Sequence, residues 1–335
     1  MTGIKKSILS MVIVSFIFLF SACNKPATPI AENKNPQKSS MTVSALNGPT
    51  GMGMVKLIKD NEDGKSAINY DFNLVGSPDE LVGKIVNGEV DVAAVPINLA
   101  MVLYNSTGGK VQLAAVNTLG VLYVLENGNS IKEFEDLKGK KVNVSGKGSM
   151  PEYVFEYLLT KNNLELDKDV EVDFKLQHAD LAAAVAAGDA DIALLPQPHV
   201  STAMMKNENV GIAIDINKEW KKAFNNEGEL YMGAIIVQKE FAQNNKETLD
   251  TFLDEYKASV DFVNKNLDEA SELIAKHKIL PNKDIAKKAI PYSNIVYIDA
   301  KDVKDSVNDI YEVLFSFAPK SVGGKLGDDQ FYYQR

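Results

Sequence analysis

Two stretches of sixteen residues, LVGKIVNGEVDVAAVP (Leu81–Pro96) and LAAAVAAGDADIALLP (Leu181–Pro196), align without a gap at an offset of 100 residues. The same residue stands at five aligned positions, which are Leu81/Leu181, Gly88/Gly188, Asp91/Asp191, Ala93/Ala193 and Pro96/Pro196. Any helix that is followed by a glycine turn and a strand gives part of this pattern, but five identities without a gap favour a true structural repeat. A period of this length exceeds the roughly 20–50 residues of solenoid repeats and suits two similar lobes.

Around each stretch, short apolar runs alternate with segments of helix length. The predicted strands are Thr42–Asn47, Asp71–Val75 and Val90–Val95 in the first half, then Lys141–Ser145, Val170–Leu176 and Ala190–Leu195 in the second. Ser77-Pro78-Asp79-Glu80 predicts a helix start, with Ser77 as N-cap and Glu80 completing a capping box. Strands and helices in alternation predict an α/β protein built from βαβ units with mostly parallel sheets.

Two long extended runs, Gln112–Leu125 and Glu229–Val237, are placed to cross between the lobes. Three helical stretches follow the second run and are expected to pack on the first lobe: Asn245–His277, Asp284–Ala289 and Asp302–Phe317. The sequence thus predicts a hinged, two-lobed clamshell that closes around a ligand. We expect residues 41–120 and 235–335 to form lobe 1 and residues 121–234 to form lobe 2.

The N-terminus has the features of a secretory signal over residues 1–22: two lysines, then the apolar run Ile8–Phe20, then small residues. The run is shorter than the about 20 apolar residues of a membrane-spanning helix. Cys23 is the only cysteine, and Phe20-Ser21-Ala22-Cys23 resembles a bacterial lipobox, with Phe20 where that pattern prefers Leu. The sequence therefore predicts lipidation of Cys23. Residues 23–40 are rich in Pro, Asn, Lys and Ser and are expected to form a flexible tether.

The composition excludes several classes of function. The formal net charge of −9 becomes −11 once Lys5 and Lys6 leave with the signal, and so acidic a chain lacks the basic patches that bind nucleic acid. Arg335 is the only arginine, so a bidentate Arg fork for an anion is not expected elsewhere in the chain. None of the three histidines stands at metal-ligand spacing from another, so we do not expect a His-rich metal site. The glycine turns do not match a nucleotide-binding motif, and we expect no cofactor.

At this point three motifs carry a resemblance to a known family. They are ELVGKIVNGEVDVAAVP at Glu80–Pro96, IKEFEDLKGKKVNVS at Ile131–Ser145 with the GKGS turn behind it, and AAGDADIALLPQP at Ala186–Pro198. Together with the glycine-rich turn after the first strand, they resemble the ABC-importer solute-binding proteins of the nitrate/taurine/sulfonate/thiamine-precursor group (NitT/TauT-like) over about Met41–Ala318. That group often has an aromatic and an acidic residue where this chain has Gln197 and His199, so the ligand class is not inherited.

The resemblance implies a type II periplasmic-binding-protein-like clamshell that is not an enzyme. Such a protein captures a small polar or anionic organic molecule and presents it to an ABC permease and its ATPase. The implied form is a monomer, held by palmitate at Cys23 on the extracytoplasmic face of the cell membrane.

Ligands of open α/β sheets bind outside the carboxyl ends of the strands, where loops lead into helix N-termini. The candidate ligand-binding residues at such ends are Thr50, Gly51, Met52, Ile97, Asn98, Lys147, Gly148, Ser149, Gln197 and His199, and Thr118 and Tyr231 join them from the crossing runs. The turn Gly146–Ser149 is the strongest anion cradle among them. Each glycine could equally belong to a plain turn, Asn98 could instead cap a helix, and Tyr231 could be a core aromatic.

Two other functions share this fold. An enzyme, such as a dehydratase of a menaquinone or thiamine pathway, would need a positioned acid/base pair, for which His199 with Asp215 or Ser149 is the candidate. A surface sensor without a transport role would keep the same fold. The secretion signal disfavours a cytoplasmic enzyme.

Overall fold

The computed structural model describes residues Lys38–Arg335. The predicted signal peptide, the predicted lipidation site at Cys23 and most of the predicted tether lie outside these residues. Among the described residues, no helix is both long enough and apolar enough to span a bilayer.

The first sheet has six strands in the order β11-β4-β10-β3-β1-β2. Their bounds are β1 Ser40–Leu46, β2 Asn69–Val75, β3 Val92–Pro96, β4 Val111–Thr118, β10 Gly233–Gln238 and β11 Ile295–Asp299. Strand β1 runs parallel to β2 and β3, whereas β10 is antiparallel to β3 and β4, and β11 is antiparallel to β4.

The second sheet has five strands in the order β7-β6-β8-β5-β9. Their bounds are β5 Leu122–Asn127, β6 Lys141–Val144, β7 Glu171–Asp173, β8 Ile192–Pro196 and β9 Val210–Asp215. Strand β6 is parallel to β7 and β8, and β5 is antiparallel to β8 and β9. Both sheets are therefore mixed, which corrects the expectation of mostly parallel sheets.

Thirteen helices cover the sheets in the described part of the chain. Their bounds are α1 Pro49–Met52, α2 Val55–Glu62, α3 Pro78–Val86, α4 Ile97–Ser106, α5 Met150–Lys161, α6 His178–Ala187, α7 His199–Lys206, α8 Ile216–Ala223, α9 Lys239–Asn244, α10 Lys246–Lys265, α11 Leu267–Lys276, α12 Lys283–Ala289 and α13 Lys304–Phe317. Ser77 is the N-cap residue of α3 as expected, but its side chain makes no capping hydrogen bond. The stretch expected as one helix over Asn245–His277 breaks at Asn266 into α10 and α11.

The two repeat stretches fold alike. Each forms a helix, a turn and a buried strand, and β3 and β8 start and end 100 residues apart. Gly88 and Gly188 both end the turn with a left-handed backbone, at φ of 73° and 82°, which explains why glycine is kept at this position. The strand orders β3-β1-β2 and β8-β6-β7 match as well, so the repeat extends to the topology of both sheets.

The crossing segments account for the antiparallel strands. The chain leaves β4 at Thr118 and enters the second sheet as β5 beside β8, and it returns as β10 beside β3. Each sheet thus receives, next to its repeat strand, a strand that arrives from the other sheet. The crossings lie against each other, because the Met232 amide donates to the Thr118 carbonyl over 2.9 Å.

Helices α10 and α11 pack on α2 beside the first sheet, as expected for the C-terminal region. The same region also contacts the other half: α12 lies against α7, and α13 lies against α5. The Tyr123 hydroxyl, on β5, donates to the Tyr292 carbonyl over 2.9 Å. The C-terminal region therefore connects the helices of the two sheets on either side of the crossings.

Candidate functional site

A cleft of about 530 Å³ lies between the two sheets, at the carboxyl ends of strands from both. Its walls include the last residues of β1, β3 and β4 from the first sheet and of β8 from the second, which are Leu46, Pro96, Thr118 and Pro196. Val121 and Met232 line it from the two crossing segments. The volume falls in the range of about 300–1,000 Å³ that is common for small-molecule sites.

Five helices of eight residues or more begin at this cleft: α3, α4, α5, α6 and α7. They contribute lining residues from their first or second positions, namely Pro78, Asn98, Met150, Pro151, His178 and His199. Helix N-termini carry unsatisfied amide groups and a partial positive charge, so their convergence favours a ligand with an electron-rich or anionic group.

The repeat places equivalent positions of the two halves opposite each other in the cleft. Pro96 and Pro196 line it as a pair, and so do Leu99 with His199 and Pro78 with His178. In the last two pairs, the first half supplies the apolar side chains of Leu99 and Pro78, and the second half supplies the imidazoles of His199 and His178. No Asp, Glu, Lys or Arg is found among the cleft-lining residues of the described chain.

Gln197 supplies a buried amide to the cleft that is only partly satisfied. Its side chain is 2% exposed, and its Oε1 accepts a hydrogen bond from the Ser201 hydroxyl over 2.9 Å. Its Nε2, in contrast, has no hydrogen-bond partner within Lys38–Arg335. Because a buried donor without an acceptor costs about 1–3 kcal/mol, this amide is poised to donate to an oxygen of a ligand.

His178 and His199 lie together beside Gln197, with ring centroids 5.4 Å apart and an angle of 36° between the ring planes. The His178 Nδ1 is 2.6 Å from the hydroxyl of Ser145, a fully buried residue. Burial lowers the pKa of His178 below its usual value. Burial, and secondly the neighbouring His178, lowers the pKa of His199 to about 4. Both rings are therefore neutral near pH 7 in this structure.

Two hydroxyl side chains of the cleft, Thr118 and Ser149, already have protein partners. Thr118 donates to Asn117 Oδ1 over 3.2 Å, and the Asn117 amide donates to the Thr50 carbonyl over 3.1 Å. Ser149 donates to the Gly146 carbonyl over 2.5 Å. Their hydroxyl oxygens can still accept hydrogen bonds, so they complement a ligand's donors better than its acceptors.

Six of the twelve candidate residues line the cleft: Thr50, Asn98, Thr118, Ser149, Gln197 and His199. Ligand contact by these residues is still a prediction. The other six are placed elsewhere: Gly51, Met52, Ile97, Lys147, Gly148 and Tyr231.

The side chains of Met52, Ile97 and Tyr231 are buried in the core, at 0%, 0% and 3% exposed. Gly51 faces the β1 backbone, because a Cβ at this position would come 2.5 Å from the Leu46 carbonyl oxygen. Gly51, Met52 and Ile97 follow strand ends and Tyr231 precedes β10, but none of the four lines the cleft.

The predicted cradle at Gly146–Ser149 opens onto the cleft only through Ser149. The Lys147 ammonium lies 5.7 Å from the centroid of the Phe174 ring, outside the cleft. The Gly148 amide donates to the Glu152 carboxylate, so an anion from solution would meet a carboxylate there. The Glu152 carboxylate therefore occupies the position in this turn that was predicted for an anionic ligand.

His178 was missed, because it was not among the candidate residues chosen at the strand ends. The repeat could have found it: Pro78 was recognised at the start of α3, and His178 stands 100 residues later at the start of α6. Met232, three residues into the second crossing run, was also missed.

Residues 65–212 match the family of periplasmic substrate-binding proteins of ABC transporters for phosphonate. This range includes both repeat stretches and the crossing between them. This part of the chain is similar to the substrate-binding proteins of ABC transporters. The resemblance found from the sequence motifs is thereby confirmed.

Among curated proteins, the chain is 22% identical over 193 residues to YtlA of Bacillus subtilis (strain 168), which is named as a binding protein. That alignment covers 56% of this chain and 55% of YtlA, so the chain spans about half the length of the curated relative it matches.

Solved structures of ABC substrate-binding proteins have the same fold. An ABC transporter protein from Parabacteroides distasonis superposes with a TM-score of 0.75 at 24% identity, over 89% of this chain and 99% of that one. The aliphatic sulphonate binding protein SsuA of Escherichia coli superposes with a TM-score of 0.67 at 18% identity, over 88% and 92% of the two chains. These likenesses confirm the two-lobed α/β fold class.

Proposed function

We propose that this protein is the extracytoplasmic solute-binding component of an ABC importer. In this proposal, residues 41–120 and 235–335 act as lobe 1, residues 121–234 act as lobe 2, and ligand is held between them. The observation that carries the proposal is the cleft at the facing strand ends, with the unpaired Gln197 amide inside it. The relation to ABC substrate-binding proteins over residues 65–212 supports it.

The ligand class that fits this cleft is a small organic molecule with an apolar body and one acidic oxygen group. Leu46, Leu99, Val121 and Met232 supply apolar contact area for the body. The Gln197 amide and the converging helix N-termini supply donors for the oxygens. The similarity to phosphonate-binding proteins and to a sulphonate-binding protein agrees with an oxyanion of this kind.

The proposed protein is a binding protein rather than an enzyme. Asp215, considered above as a partner for His199, accepts from the amides of Asn217 and Lys218 as the N-cap of α8 and does not line the cleft. The Ser145 hydroxyl near His178 is fully buried and lies 3.4 Å from the Leu194 carbonyl, so it is not accessible as a nucleophile. Ser149, the other partner considered for His199, donates its hydroxyl to the Gly146 carbonyl and not to an imidazole. A neutral imidazole pair without a carboxylate in the cleft suits recognition better than catalysis.

The proposed partners are an ABC permease and its ATPase, together with the membrane through a lipid on Cys23. The protein would act as a monomer. A purely sensory role is separated from import by uptake: deletion of the gene should abolish uptake of the ligand by cells, whereas loss of a sensor leaves uptake in place.

A thermal-shift screen of sulfonates, phosphonates, carboxylates, nitrate and nucleobases tests the proposal. A true ligand at 100 times its Kd should stabilise the folded state by about 2.7 kcal/mol. Small-angle X-ray scattering should then show a smaller radius of gyration with that ligand, because contacts to both lobes exist only in the closed form. Failure of every compound, and of a growth-medium extract, to stabilise the protein would refute solute capture.

A further inference from the structure

An acidic ligand in this cleft would be bound without a lysine or arginine side chain. In the described residues that line it, there is no Lys or Arg. Arg335, the chain's only arginine, pairs instead with Asp250 and Asp254. An anion placed among Leu46, Leu99 and the prolines would keep much of its charge uncompensated, although the Gln197 amide can donate to it. Burial of a charge without a partner is costly.

We propose that His178 and His199 supply the missing positive charge by taking up one proton together with the ligand. The inference rests on the proposed solute capture and identifies the residues that select an acidic ligand. No covalent bond changes. One proton moves from solvent to a ring nitrogen of the pair, and the bound oxyanion and the imidazolium then neutralise each other.

The geometry suits a single shared proton. Ring centroids 5.4 Å apart bring both imidazoles within reach of one oxyanion, and two positive charges at that distance would repel each other. The His178 Nδ1 is engaged by Ser145, while neither ring nitrogen of His199 has a hydrogen-bond partner in the described chain. One ring can therefore be charged while the other donates as a neutral group.

None of the charged groups on the surrounding elements lines the cleft in the described chain. Glu152 on α5 accepts from the Gly148 amide, Lys147 lies on the Phe174 ring, and Lys287 on α12 pairs with Asp268. Asp180 on α6 and Lys206 on α7 are exposed. Asp215, the last residue of β9, caps α8.

For His178, burial alone lowers the pKa, and for His199 burial and His178 lower it. The pair is thus neutral before binding because of its surroundings, and the ligand's negative charge is the change that would raise the pKa of the rings.

Calorimetric titration at several pH values tests the inference. The probes are benzenesulfonate, benzoate and phenylphosphonate, with benzenesulfonamide as an uncharged analogue of the first. At a fixed pH, two buffers with different ionisation enthalpies give the number of protons taken up. For benzenesulfonate we expect uptake approaching one proton, and a Kd that rises about tenfold per pH unit between the pKa of the free histidine pair and the higher pKa of the complex. The sulfonamide should show neither effect.

The variants His178→Gln and His199→Gln, alone and combined, keep hydrogen-bonding capacity and remove titration. The double variant should lose proton uptake and the pH dependence of Kd for benzenesulfonate. His277→Gln is the matched control, because this third histidine lies near Glu62 and away from the cleft, and its replacement should leave the pH dependence unchanged.

Three outcomes overturn the inference. They are a pH-independent Kd for benzenesulfonate in the wild type, an unchanged pH dependence in the double variant, and no binding of any acidic probe. If the sulfonamide or a growth-medium extract still stabilises the protein and reduces its radius of gyration, solute capture survives and only the role of the histidine pair fails. If nothing stabilises the protein, the proposed function fails with it.

Discussion

Replacing Gln197 by Met separates ligand recognition from folding, because the two atoms of its side-chain amide have different environments. The Nε2 is buried without a partner, so its removal from the ligand-free protein breaks no hydrogen bond and relieves a cost of about 1–3 kcal/mol. The Oε1 accepts from Ser201 over 2.9 Å, and loss of that hydrogen bond costs about 0.5–1.5 kcal/mol. The opposing terms place the ligand-free variant between about 0.5 kcal/mol less stable and about 2.5 kcal/mol more stable than the wild type.

Binding should respond in the opposite direction. If the Gln197 amide donates to an acidic group, its loss removes a charge-assisted hydrogen bond of about 1.5–3 kcal/mol. That corresponds to a Kd roughly 10- to 150-fold higher. Thermal unfolding of the ligand-free variant and calorimetric titration with benzenesulfonate measure the two effects separately.

Ser201→Ala is the matched control. The Ser201 hydroxyl donates to the same Gln197 Oε1, but it does not line the cleft. This variant should lose about 1 kcal/mol of stability and keep the Kd of the wild type. A Gln197→Met variant that unfolds at a lower temperature than the wild type and binds benzenesulfonate equally well would refute the assignment of Gln197 as an unpaired ligand donor.

Three further predictions address other parts of the account. Gly233→Ala, at the start of β10, should destabilise the protein by roughly 1–3 kcal/mol, because the added Cβ would overlap Asn117 Oδ1. Gly211→Ala on β9 is the control and should change thermal unfolding little, because the space at its Cβ is open. Equal unfolding temperatures of the two variants would contradict the packing described for the crossing. His199→Gln should protect the ligand-free protein against unfolding by acid. The pKa of His199 is lowered to about 4 in the folded state, so the stability that is present above about pH 6.5 is lost as the pH falls toward 4. Acid-unfolding curves that are the same for the variant and the wild type would be evidence against this. Cys23→Ala should release the protein from membranes or leave it unprocessed in cell fractionation, and unchanged membrane partition would exclude lipidation at Cys23.

Much of the fold could be predicted because each copy of the repeat is a short, continuous stretch of sequence with a clear pattern. The alternation of helix, glycine turn and buried strand placed β3 and β8 within two residues of their observed starts. The predicted crossings at Gln112–Leu125 and Glu229–Val237 overlap β4, β5 and β10. Strand direction was harder, because apolar runs are alike in parallel and antiparallel strands, and β9 and β11 were not predicted. The break at Asn266 was missed because helix-period apolar residues continue through it.

The sequence predicted which loops form the site, but it did not predict which side chains of those loops face the cleft. The rule that ligands bind at the carboxyl ends of strands led to Thr50, Asn98, Ser149, Gln197 and His199, all of which line the cleft. Which residue of a loop faces the cleft depends on tertiary packing that the sequence does not display. Likewise, no local pattern predicts that a carboxylate four residues on, Glu152, caps the Gly148 amide.

The most direct test of the account is a crystal structure with 4-bromobenzenesulfonate, in which anomalous scattering locates the bromine independently of the sulfonate. The account predicts one molecule between the two sheets, with its sulfonate oxygens within hydrogen-bond distance of Gln197 Nε2 and the histidine pair. The bromine should lie against the apolar wall near Leu46 and Leu99. A bound molecule outside the cleft, or one whose sulfonate faces Leu46 and Leu99 while its bromine lies at Gln197, would contradict it.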